Sequence, residues 1–168
     1  MNYILIGMAG CGKSCLGRAV ARKVKMRNVD VDKLIEEKYG KHLSEIIDEV
    51  GVDKFKEIER ETLLSLDYKD TIISTGGSAI YYPEAMVHLK SIGTIVYIYT
   101  SLSVLLDRIG DFQKRGMVMK DGQTIEDLYT ERKQLYEKYA DITLNCNGND
   151  YPSYQEDFTN IIIKNREK

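Results

Sequence analysis

The sequence predicts an α/β fold of three layers, α-β-α, around a five-stranded parallel sheet. Two observations carry that expectation. Five short β-rich runs, at residues 3–6, 28–31, 71–75, 94–99 and 141–144, alternate with longer segments of helical periodicity, and strands separated by helices pair in parallel beneath helices on both faces. The 168 residues fit one domain, and 43% hydrophobic with 30% charged residues is the composition of a chain that folds on its own.

The elements follow in order. The apolar run at 3–6 is a buried strand, and the glycine-rich segment after it opens a helix over 13–25. Strand 28–31 is followed by helices at 33–39, 44–50 and 53–66. Strand 71–75 leads to a helix at 83–91, where Pro83 suits the first turn. Strand 94–99 precedes a helix at 101–109 with Ser101 as its N-cap. Thr124 and Asp127 have capping-box spacing at the start of a helix over 124–139. Strand 141–144 and a helix at 152–165 complete the pattern. Residues 110–123, polar and punctuated by Gly110, Gly116 and Gly122, read as a mobile lid within the same domain.

The charge balance narrows the function. Basic residues number 24 and acidic residues 26, interspersed, so the net charge is −2 and no basic stripe marks a nucleic-acid partner. No apolar run reaches the length of a membrane span, and residues 1–6 run directly into the first strand without a signal-type segment. A cytoplasmic monomer acting on a small molecule is expected. Cys11, Cys15 and Cys146 have neither the number nor the spacing of a disulfide framework or a zinc site, and read as reduced thiols.

Gly7-Met8-Ala9-Gly10-Cys11-Gly12-Lys13-Ser14 is a complete Walker A loop between a strand and a helix. A nucleoside triphosphate crowds negative oxygens into a small volume. Its site needs unhindered backbone amides, here from Gly10 to Cys15, a mobile cation, Lys13, and a magnesium ligand, the Ser14 hydroxyl. ATP and Mg2+ are therefore the expected donor and cofactor. The run at 94–99 ends without an acid, which disfavours a motor ATPase or a GTPase. Asp30-Val31-Asp32 closes the second strand, and strand alternation would aim both carboxylates into the crevice beyond the sheet. Asp30 is expected on the magnesium side and Asp32 at the acceptor hydroxyl, with capping of a helix beginning at Lys33 as the competing role for Asp32.

Taken with Phe55-Lys56-Glu57-Ile58-Glu59, Thr75-Gly76-Gly77-Ser78 and the run from Glu131 to Asp141, these motifs resemble the shikimate kinase family in order and spacing, over residues 3–144. The resemblance implies a P-loop kinase fold like that of nucleoside monophosphate kinases, a role in aromatic amino acid biosynthesis, and transfer of the ATP γ-phosphate to the 3-hydroxyl of shikimate. It implies acceptor contacts at Asp32, Lys56, Gly76, Gly77 and Arg132, with Glu59 orienting position 56. It also implies a catalytic arginine at Arg115 in the lid and an adenine-flanking residue at Arg108. Three positions depart from the family pattern: Lys56 where the family has arginine, Ser78 in place of a third glycine, and Gly116 after the lid arginine. The alternatives are a related kinase for another small hydroxy acid, amino-acid alcohol or sugar acid, a nucleoside monophosphate kinase, and a nucleotide-binding module without catalysis.

Overall fold

Tyr3, Ile4, Leu5 and Ile6 are all buried, and because successive strand residues point to opposite faces, a strand buried at every position must be covered on both. In the computed structural model, which describes residues 1–109, 119–148 and 150–167, this strand, β1 (Asn2–Ile6), is the centre of the sheet. The strands β2 (Arg27–Asp30), β3 (Thr71–Ser74), β4 (Gly93–Tyr99) and β5 (Ile142–Asn145) join it in the order β2-β3-β1-β4-β5. Every pairing is parallel, as the alternation of elements requires.

Among the described residues eight α-helices connect and cover the strands: α1 (Lys13–Val24), α2 (Val31–Tyr39), α3 (Leu43–Val50), α4 (Val52–Leu64), α5 (Pro83–Ile92), α6 (Leu102–Ile109), α7 (Ile125–Tyr139) and α8 (Tyr151–Arg166). Helices α1 and α8 pack on each other, and the Tyr3 ring meets the edge of Phe158 at 5.8 Å beneath them. Helix α5 packs on β4 and α4. Pro83 occupies the first turn of α5, and the Thr124–Asp127 capping box forms in both directions at α7. No helix among the described residues is long and apolar enough to cross a membrane.

The side chain of Asn2 ties together the strands at their N-terminal ends. Its amide nitrogen donates to the carbonyls of Tyr68 and Ile92, and its oxygen accepts from the Thr71 amide. At the opposite, C-terminal ends of β1, β2 and β3 lie the glycine-rich segment, the aspartate pair and Gly76-Gly77.

One expectation is corrected here. Strand β2 ends at Asp30, and Val31 and Asp32 already belong to α2. The Asp30 side chain accepts the Lys33 amide at 3.3 Å and caps the helix, so strand alternation does not relate Asp30 to Asp32. Asp30 is therefore the cap, and Asp32 lies in the first turn beyond it.

Candidate active site

The glycine-rich loop turns on residues with positive φ. Gly12, at φ 95°, sits at the N-cap of α1, and the helix that follows aims its free amides back at the loop. Lys13 is buried in that first turn. Its ammonium donates to the Gly7 and Met8 carbonyls at 2.7 and 2.8 Å and lies 3.7 Å from Cys11 Sγ. The cation is thus stationed at the loop rather than in solvent. Ser14 is half-buried one residue on, and Cys15 is exposed. All three cysteines are free thiols.

Asp30 sits opposite Ser74 in the β2–β3 register, and the Ser74 hydroxyl donates to the Lys13 carbonyl at 3.3 Å. That chain of contacts brings the end of β2 beside the start of α1. A hydroxyl and a carboxylate, Ser14 and Asp30, are hard oxygen donors of the kind that would hold magnesium. Among the described residues no group of three or more His, Cys, Asp or Glu side chains is placed to hold a metal by itself.

Asp32, though not on a strand, reaches the crevice from the first turn of α2. Burial, and next the negative charges of Asp30 and Glu59, push its carboxyl up to about 6, against the opposing pull of Lys13. Gly76 explains how two acids approach so closely. A Cβ at that position would lie 2.7 Å from Glu59 Oε1 and 3.0 Å from Asp32 Oδ1, so the missing side chain leaves the space both carboxylates occupy.

Glu59 also lines a cavity of about 450 Å³ that lies between helix α4, the segment from Ser78 to Tyr82, and helix α7. Lys56 of α4 and Arg132 of α7 bring positive charge to its wall. Arg132 is 4% exposed, stacks its guanidinium over the Tyr81 ring at 5.5 Å, and has an Nε with no partner among the described residues. Gly77 leaves it room, since a Cβ there would stand 3.0 Å from the Arg132 guanidinium. The arrangement joins a triphosphate cradle, a carboxylate of raised basicity and a cationic pocket for a small acid.

The family model for shikimate kinase matches residues 9–164. The chain belongs to the shikimate kinase family. A shikimate kinase from Sulfurihydrogenibium sp. (strain YO3AOP1) is 35% identical over 146 residues, which are 86% of this chain and 87% of that protein. One from Francisella tularensis subsp. novicida (strain U112) is 34% identical over 151 residues, 88% of this chain and 86% of that one. Among solved structures, a shikimate kinase from Acinetobacter baumannii in complex with shikimate superposes with a TM-score of 0.86 at 28% identity, covering 99% of this chain and 95% of that one. The shikimate kinase of Aquifex aeolicus vf5 gives a TM-score of 0.81 at 30% identity, covering 99% of this chain and 96% of that one.

Against the shikimate kinase pattern, the structure brings Asp32, Gly76, Gly77, Lys56 and Arg132 to one region and sets Lys13 and Ser14 at the loop. Arg108 is exposed at the end of α6 and donates to the Cys146 and Gly148 carbonyls at 3.3 and 3.0 Å, tying α6 to the segment after β5. Arg115 lies outside the described residues, as do lid positions 110–118. Glu59 differs from the implied role. It takes hydrogen bonds from Ser78 and Tyr82 and makes no ion pair with Lys56. Sequence reasoning also missed Tyr136, whose hydroxyl donates to the Gly77 carbonyl at 2.7 Å while its ring stacks on Tyr97 at 5.1 Å. A tyrosine on a helix face reads as core, and nothing in its spacing signals a bond to a distant glycine.

Proposed function

We propose that this shikimate kinase transfers the γ-phosphate of ATP to the 3-hydroxyl of shikimate through the following division of labour. Lys13 and the amides from Gly10 to Cys15 hold the triphosphate, with Ser14 and Asp30 on the magnesium side. Magnesium held there would neutralise charge on the phosphates. Asp32 accepts the proton of the acceptor hydroxyl as that oxygen attacks; with its carboxyl near 6 it is ionised at neutral pH and a stronger base than an ordinary aspartate. Arg115 is assigned the charge that builds on the transferring group, and Arg108 the flank of the adenine.

The observation that carries this reading is the buried Arg132 beside Gly77, next in the chain to the Gly76 that adjoins Asp32. An acceptor whose carboxylate meets Arg132 and Lys56 has a hydroxyl within reach of Asp32 if it is a compact ring acid, which shikimate is. A second cation in the same wall suits a single carboxylate.

The test is purified protein with ATP, magnesium and, separately, shikimate, homoserine, gluconate, AMP and CMP. Phosphorylation of shikimate in clear preference to the rest is expected. Turnover of another acceptor with none of shikimate overturns the proposal.

A further inference from the structure

Lys56 and Ser78 are separate departures in the sequence, but in the fold both line the cavity that Glu59 lines. Lys56 and Glu59 stand three residues apart on α4, the spacing at which a helix forms ion pairs along its surface. Among the described residues Lys56 nonetheless makes no ion pair. Glu59 instead has the Ser78 hydroxyl 2.7 Å from both of its oxygens and the Tyr82 hydroxyl 2.7 Å from Oε2. At 4% exposure Glu59 needs such partners, because a buried charge without them is costly. Tyr82 is held in its neutral, donating form by burial and next by the Glu59 charge, which raise its pKa.

We propose that Ser78 and Tyr82 are positioning residues for the acceptor: their hydroxyls hold the Glu59 carboxylate in the cavity wall and leave the Lys56 ammonium to meet the acceptor's carboxylate. The inference rests on reading the cavity as the acceptor site. An arginine at position 56 has a planar fork that can hold Glu59 through one edge and a ligand through another. A lysine is a single charged point on a flexible stem and cannot serve both. With Glu59 bonded by two neutral donors, it makes no ion pair with Lys56, and the ammonium lines the wall it shares with Arg132. Ser78 and Tyr82 line the same cavity, and their role in this reading is exerted through Glu59. The two departures are therefore one compensated change: the serine hydroxyl replaces the half of the arginine that the lysine lacks.

The test is steady-state kinetics on the full chain, with shikimate and ATP varied in turn, for Ser78→Gly, Tyr82→Phe and the pair, each with and without Lys56→Arg. The pair is expected to raise KM for shikimate about tenfold, with kcat and KM for ATP within about twofold, as loss of acceptor positioning requires. Lys56→Arg should recover most of that loss in the pair, a clearly larger improvement in KM for shikimate than it makes in the native background, since only in the pair does the fork find Glu59 without its two donors. An unchanged KM in the pair, or an equal effect of Lys56→Arg in both backgrounds, overturns the proposal. If the pair fails to fold, Tyr82→Phe, which keeps the ring, carries the same comparison. If the native protein does not phosphorylate shikimate, it is the functional reading that fails. The inference is then decided by crystal structures, which should place the introduced guanidinium on Glu59 in the triple variant but not in Lys56→Arg alone; a pair with Glu59 in both overturns it.

Discussion

Asp32 and Glu59 converge on Gly76 from different helices, so that one added Cβ would stand within 3.0 Å of both carboxylates. Each acid is thereby in the other's field, and the negative charge of Glu59 contributes to the raised Asp32 carboxyl. The base proposed for the reaction owes part of its strength to a residue that need not touch the acceptor's hydroxyl.

Asp32→Asn should lower kcat by about 10² to 10⁴ while leaving KM for ATP nearly unchanged, because it removes the proton acceptor and not the nucleotide cradle. Single-turnover and steady-state rates with shikimate check this. Full turnover in the variant would remove Asp32 from the mechanism.

The rate should fall as pH drops through about 6, where Asp32 takes up its proton and can no longer accept one. In Glu59→Gln the acid limb of kcat/KM should move to lower pH, since a charge that raises the Asp32 carboxyl is gone. A pH–rate profile of both proteins reads the shift and its sign.

Stability should run the other way. A carboxyl raised in the folded state favours folding below its ordinary value of 3.8, and that advantage is lost as pH climbs through about 6. At neutral pH ionised Asp32 therefore costs stability, and Asp32→Asn should gain about 1–2 kcal/mol there, with the gain vanishing below about pH 4. Thermal or urea melts across that range test it.

Gly76→Ala should depress kcat and lose about 1–3 kcal/mol of stability, because the new methyl meets Glu59 Oε1 at 2.7 Å and that carboxylate is fastened by Ser78 and Tyr82. Melts and kinetics together separate this from a local effect on the acceptor alone.

Arg132→Lys should raise KM for shikimate about 10- to 100-fold with little change in KM for ATP, since a buried planar fork stacked on Tyr81 is exchanged for a point charge. An equal rise in both constants would place Arg132 outside the acceptor's reach.

The fold was legible because its signals are local: β1 is a continuous apolar run, Pro83 and the Thr124–Asp127 box mark helix starts, and each strand is separated from the next by helical periodicity. The phosphate loop was legible for the same reason, being one contiguous segment. The aspartate pair was read in the right place for the wrong reason. An aspartate at a strand end also caps helices, and the Asp30 side chain, by taking the Lys33 amide, starts α2 two residues before the predicted Lys33. The acceptor wall was only partly legible, because it is gathered from α4, the turn after β3 and α7. Tyr81, Tyr82 and Tyr136 contribute through hydroxyls or ring faces whose partners lie 23 to 59 residues away, or on another element. No spacing in the chain encodes those meetings.

Asn2 divides the molecule into a fastened end and a ligand-facing end. By fastening the starts of β1 and β3 and the approach to β4 through one side chain, it secures the sheet at the end remote from the phosphate loop. Exchanges such as lysine for arginine at 56, or serine for glycine at 78, fall at the other end. A change of ligand contacts at that end leaves untouched the seam that holds the strand starts together.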